Sequence, residues 1–74
     1  MSDLARMPAG VSRNAAFYAA ARKGDLDYAE VRSSQDAVWA ANGLRDGLSF
    51  GNFPRDEDKS WAIEFLHNLD CDFG

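Results

Sequence analysis

The sequence predicts an all-α fold: a compact bundle of three to four short helices behind a flexible N-terminal arm. Three observations carry this. One alanine-rich stretch ends in two basic residues and a glycine. Two later runs space their apolar residues at helical intervals. Glycine and proline gather between those runs rather than inside alternating strand-like segments.

Taken in order, residues 1–10 hold Pro8 and Gly10 and no periodic pattern, which reads as a flexible arm, with a single helical domain over 11–74. The first helix is expected from Ser12 to Gly24. Alanine is the best helix former, Ser12 or Asn14 can accept the orphan N–H bonds at its start, and Arg22 and Lys23 suit the negative end of the dipole. Gly24 can take the left-handed closing conformation. Residues 25–32 read as a short helix, with Asp27 and Glu30 at capping-box spacing. Ser33 and Asp36 repeat that spacing and open a helix to about Asp46, with Ala37, Ala41, Leu44 and Leu48 on one apolar face that Val38 widens. Gly43 within it marks close packing, an early end or a kink. Residues 47–54 read as an aromatic loop whose Phe50 and Phe53 fold back on the core. The last helix is expected from about Asp56 to Leu69, with an apolar stripe of Trp61, Ala62, Phe65, Leu66 and Leu69 and a short tail beyond.

Composition bounds the function. A 74-residue chain fits one domain of modest stability. Its one cysteine, Cys71, gives no internal disulfide and suits a reducing compartment, so the core must come from large side chains. Nine aromatics supply it, and their number leaves room for a homodimer or an exposed aromatic patch. No stretch approaches a membrane span and the start lacks the pattern of a signal peptide, so a cytoplasmic protein is expected. The net charge of −4 is uneven: residues 1–32 carry +1 and residues 33–74 carry −5. An acidic second half opposes phosphate-backbone binding and suits a basic protein surface.

The catalytic and metal readings fall short of the patterns they need. Glu64, His67 and Cys71 share one helix face, but structural zinc sites take four ligands. His67 and Cys71 as a nucleophilic pair lack an oxyanion loop and enough protein to build a pocket. Asp56, Glu57 and Asp58 lack the alternation and central glycine of a calcium loop, and fit the first turn of a helix instead. No catalysis, metal or cofactor is expected. The candidate partner contacts are the acidic residues Asp56, Glu57, Asp58, Glu64, Asp70 and Asp72 beside the aromatics Phe50, Phe53 and Phe73.

In size and charge the chain is similar to phage and mobile-element inhibitors, anti-CRISPR proteins among them. That similarity implies a non-catalytic protein that occupies the basic surface of a host nucleic-acid-handling complex, in the bacterial cytoplasm if phage-encoded, without touching nucleic acid or membrane. The alternative is a small, dimeric helix-turn-helix regulator reading DNA with a helix near 34–46 and using Arg13, Arg22, Lys23 and Arg32. That helix holds one basic residue, Arg45, against Asp36 and Asp46, fewer cations than such readers carry.

Overall fold

In a computed structural model of the chain, Pro8 and residues 10–74 are described. The arm expected over 1–10 lies, apart from Pro8 and Gly10, outside them. The described residues form three α-helices, α1 (Val11–Arg22), α2 (Ser34–Ser49) and α3 (Asp56–Phe73), with one 3-10 turn at Tyr28–Glu30 between α1 and α2.

The ends of these helices follow from local chemistry. α1 starts earlier than its hydroxyl and amide residues suggest. Gly10, at φ 149°, is the N-cap, and neither Ser12 nor Asn14 caps the helix. Its other end is closed by Gly24 at φ 74°. There the Asp25 N–H donates to the Ala20 carbonyl at 2.9 Å and the Gly24 N–H to Ala21 at 3.0 Å, the paired bonds of a Schellman motif. α2 ends the same way on Gly51, where the Asn52 N–H donates to Gly47 at 2.8 Å. At its start the Ser33 hydroxyl accepts the Asp36 N–H at 3.2 Å. Asp27 and Glu30 form the expected reciprocal capping box, although the segment they cap is a single 3-10 turn rather than a short α-helix.

Two boundaries move outward. α2 runs to Ser49 instead of Asp46, because Gly47 stays helical and serves packing rather than a turn. α3 continues through the expected tail to Phe73, whose ring packs against the core.

Three groups of contacts set the topology. Arg13 meets Asp36, the Tyr18 hydroxyl donates to Asp46, and Gly47 lies against the Arg22 carbonyl, so α1 and α2 run side by side in the same direction. The connector, residues 23–33, returns the chain between them and buries Leu26 and Val31. α3 then runs antiparallel to α2. Near its start Trp61 and the loop residue Phe53 lie by Gly24 and Gly47, while its last residues, Phe73 and Gly74, share a groove with Ser34.

The α1–α2 seam is made of small residues. A Cβ on Gly43 would stand 2.4 Å from the Tyr18 carbonyl oxygen and 2.8 Å from the Ala21 Cβ, so close packing is the role of that glycine. Around it Phe17, Ala21, Ala37, Ala40 and Leu44 are buried. The apolar face of α2 is therefore rotated from the expected one. Ala37 and Leu44 are buried, Ala41 and Leu48 are half-buried, and Val38, expected to widen the face, is 55% exposed.

α3 is mounted differently, on rings. Ala62, Phe65 and Leu69 are buried and Trp61 and Leu66 half-buried, as the stripe predicts. Edge-to-face contacts join Tyr28 to Phe65 at 5.1 Å, Trp61 to Phe65 at 5.2 Å and Phe53 to Trp61 at 6.1 Å. The Tyr28 hydroxyl lies between the Asp72 carboxylate and the Asn68 carbonyl, 2.9 Å away, and shares its one proton between them, fastening the connector to the last turns of α3.

Candidate protein-binding surface

A helix that buries Ala62, Phe65 and Leu69 must turn the opposite side to water. On α3 that side carries Glu64, His67 and Cys71, with Asp56, Ile63 and Asp70 at heptad spacing along its flank, where Asp70 borders the groove to α2, all exposed. α3 holds six acidic residues and one lysine, Lys59. Ile63 stands 59% exposed among them, which burial within this domain does not explain.

The expected acidic contacts do not form one patch. α3 has 18 residues, about 27 Å at about 1.5 Å each, so Asp56–Asp58 and Asp70–Asp72 lie at opposite ends. Some are also engaged within the chain. The Arg55 guanidinium donates to Asp58 at 3.0 Å and pairs with Glu57 at 3.0 Å, and Asp72 accepts from Tyr28. Burial, with the Asp72 carboxylate adding to it, pushes the Tyr28 hydroxyl up to about 12. Asp56, Glu64 and Asp70 remain the outward acids, in line with Ile63.

The two phenylalanines of the loop part company. Phe53 is 3% exposed and sits in the core against Trp61, Gly24 and Gly47, so it is corrected from a partner contact to a structural plug. Phe50 does not fold back on the core. It is 67% exposed, and the Arg22 guanidinium lies over its ring at 5.1 Å to the centroid. An open hollow lined by Tyr18, Ala19, Arg22, Lys23 and Asn52 adjoins it, and the Asn52 amide donates to the Arg22 carbonyl at 3.3 Å. Phe50 thus belongs with cations, not with the acids of α3.

Sequence reasoning missed the ion pair that locks α1 to α2. Arg13 donates from Nε to Asp36 Oδ1 at 2.9 Å and from its terminal nitrogen to Oδ2 at 2.8 Å, and the Arg32 N–H adds a bond at 3.2 Å. Arg13 also lies over the Phe17 ring at 5.1 Å. Asp36 is 2% exposed, and the Arg13 fork, helped by Arg32 and Ser33, holds its carboxyl below the ordinary carboxylate range despite burial. Arg13 and Asp36 are 23 positions apart, and no local pattern announces the pair.

Between α2 and α3 an open groove of about 210 Å³ exposes Val38, Ala41, Leu66 and Phe73, with Arg45 and Asp70 at its margins. The Cys71 sulfur lies 3.7 Å from His67 Nε2 one turn away. Among the described residues no three His, Cys, Asp or Glu side chains converge to hold a metal ion, so Glu64 does not complete a set with them. No described helix is long and apolar enough to cross a membrane.

Comparison with known proteins adds no relative: no family model matches the chain, and neither a curated protein nor a solved structure shows a significant match to it.

Proposed function

We propose that the protein is a small non-catalytic binding module that docks on the basic surface of another protein through the outer side of α3. The observation that supports it is the line of exposed Asp56, Ile63 and Asp70, with Glu64 beside it, on a helix whose inner side holds the core. An apolar anchor rimmed by carboxylates suits a cationic surface. The charges steer encounter and register, and the apolar contact slows release. By its size and charge the chain fits an inhibitor encoded by a phage or mobile element that covers the cationic channel of a host nucleic-acid-handling complex in the bacterial cytoplasm, in the manner of anti-CRISPR proteins. Self-association through the α2–α3 groove is compatible with this reading.

The DNA-binding alternative draws less support. The second helix that a helix-turn-helix needs is a single 3-10 turn at Tyr28–Glu30, and Arg13, one of its four cations, is buried against Asp36.

The test is capture from bacterial lysate with the tagged protein and with the triple variant Asp56→Asn/Glu64→Gln/Asp70→Asn. The reading predicts one protein recovered at stoichiometric level by the parent chain and lost by the variant. Recovery of no stoichiometric protein, or equal recovery by both, contradicts it.

A further inference from the structure

We infer a second interaction surface, at the end of the molecule where α1 and α2 finish, that takes an acidic peptide segment of a partner protein. It is distinct from the line of Asp56, Ile63 and Asp70 on α3, while Lys23 and Asn52 also border a hollow with Arg55, Glu57 and Asp58.

The surface is built from Phe50, Arg22, Lys23, Tyr18 and Asn52. Phe50 is the most exposed aromatic ring among the described residues, at 67%, just past the end of α2. The ring takes no place in the core, where the neighbouring Phe53 fills the space against Gly47 and Gly24. The guanidinium of Arg22 lies over one side of the ring at 5.1 Å. A guanidinium over an aromatic ring can still offer N–H groups at its edge to a carboxylate. Lys23 is exposed beside it and adds a second positive charge. The Tyr18 hydroxyl donates to Asp46, which raises the Tyr18 pKa, and Arg22 lies close enough to Tyr18 to oppose that shift.

Arginine, tyrosine and a protruding aromatic ring are the residues that dominate protein–protein hot spots. The fitting ligand pairs a carboxylate for Arg22 and Lys23 with an apolar or aromatic side chain on the free face of Phe50, beside a hollow of about 370 Å³. A peptide suits this better than a nucleic-acid strand. A strand presents a phosphate at each nucleotide and needs a track of cations, whereas this end supplies Arg22 and Lys23 on a chain of net charge −4.

The test uses the whole chain and three fluorescein-labelled probes: the peptide Gly-Glu-Glu-Trp-Glu-Glu, the same peptide with glutamine for every glutamate, and a dT10 strand. Anisotropy is followed at low salt. The inference predicts that the glutamate peptide binds at least about tenfold more tightly than the glutamine peptide, and that Phe50→Ala and Arg22→Gln each remove about tenfold or more of that affinity. Phe50 is exposed and Arg22 half-buried, so unchanged circular dichroism is required of both variants, and Phe50→Tyr, which keeps the ring, retains binding. Equal affinity for the two peptides overturns the inference, as does binding indifferent to Phe50→Ala. Tighter, Phe50-dependent binding of dT10 also overturns it, in favour of a nucleic-acid surface. Because Asp56, Glu64 and Asp70 take no part in the contact, the triple variant of α3 binds the glutamate peptide at least as tightly as the parent, its lower negative charge helping at low salt, and this experiment stands or falls independently of capture through α3.

Discussion

The two sides on which the bundle is joined are built by opposite means. The α1–α2 seam is closed by close approach: Gly43 and Gly47 let two backbones come together, Ala21, Ala37 and Ala40 pack with Phe17 and Leu44 around them, and one buried ion pair fixes the register. The α3 mount is closed by large side chains, with Phe53, Trp61, Phe65 and Tyr28 in an edge-to-face chain. The seam therefore tolerates no added volume, and the mount no removed volume. That division leaves α3 with a complete inner side and a free outer one.

The largest expected effect is on the mount. Phe65→Ala removes the ring shared by Tyr28 and Trp61, and a buried phenylalanine cut to alanine costs about 3–5 kcal/mol. In a chain this small that approaches the whole stability, so urea unfolding should show little or no folded baseline. On the seam, Asp36→Asn leaves the Arg13 charge without its carboxylate, and breaking a buried pair in this way costs about 3 kcal/mol. Replacing both members, Arg13→Met with Asp36→Leu, should cost much less than Asp36→Asn alone, because no charge is stranded. A double loss equal to or larger than the single one would show that the pair is more than a register lock.

Gly43→Ala should destabilise by up to about 2 kcal/mol, since overpacking costs about 1–3 kcal/mol and alanine returns about 1 kcal/mol of helix propensity. A stabilised variant would mean that the helices are not as close as the 2.4 Å clearance from the Tyr18 carbonyl implies. The control is Gly51→Ala, where a Cβ meets nothing within 4 Å and the cost comes from φ 74° alone.

The smallest effects are pH limbs that report the two joins separately. The folded pKa of Asp36 is lowered, so its contribution is complete above the unfolded value of about 4 and is lost as pH falls through the folded one. Asp36→Asn should flatten the acid limb of stability. The folded pKa of Tyr28 is raised to about 12, so its contribution is complete below about 10 and fades as pH rises towards 12. Tyr18 is raised as well, by its bond to Asp46 across the seam, so the alkaline limb of the mount is read as the difference between parent and Tyr28→Phe.

How much of this was legible in the sequence follows the same division. The inner stripe of α3 could be read off because Trp61, Ala62, Phe65, Leu66 and Leu69 recur at helical spacing and large apolar side chains signal burial. The small-residue seam is half-legible: Gly43 stands out inside a helical pattern, but Gly47 reads as the start of a loop, because a glycine packed against a neighbouring helix and one in a turn look alike until the neighbour is known. The Arg13–Asp36 pair and the Arg22–Phe50 stack were hidden by separation along the chain, and so each member was assigned a local role. At the candidate site, Asp56, Glu64 and Asp70 lie on the exposed side of one helix, as helical spacing allows. Of the two rings expected to fold back on the core, Phe53 does and Phe50 does not, since loop position says nothing about which of two nearby rings turns inward.

The measurement closest to the central claim pairs stability with capture in the Asp56→Asn/Glu64→Gln/Asp70→Asn variant. If the inner side of α3 serves the fold and the outer side the partner, its unfolding free energy stays within about 1 kcal/mol of the parent, as exposed charges allow, while stoichiometric capture is lost. Capture that survives the three changes in a folded protein would contradict the claim.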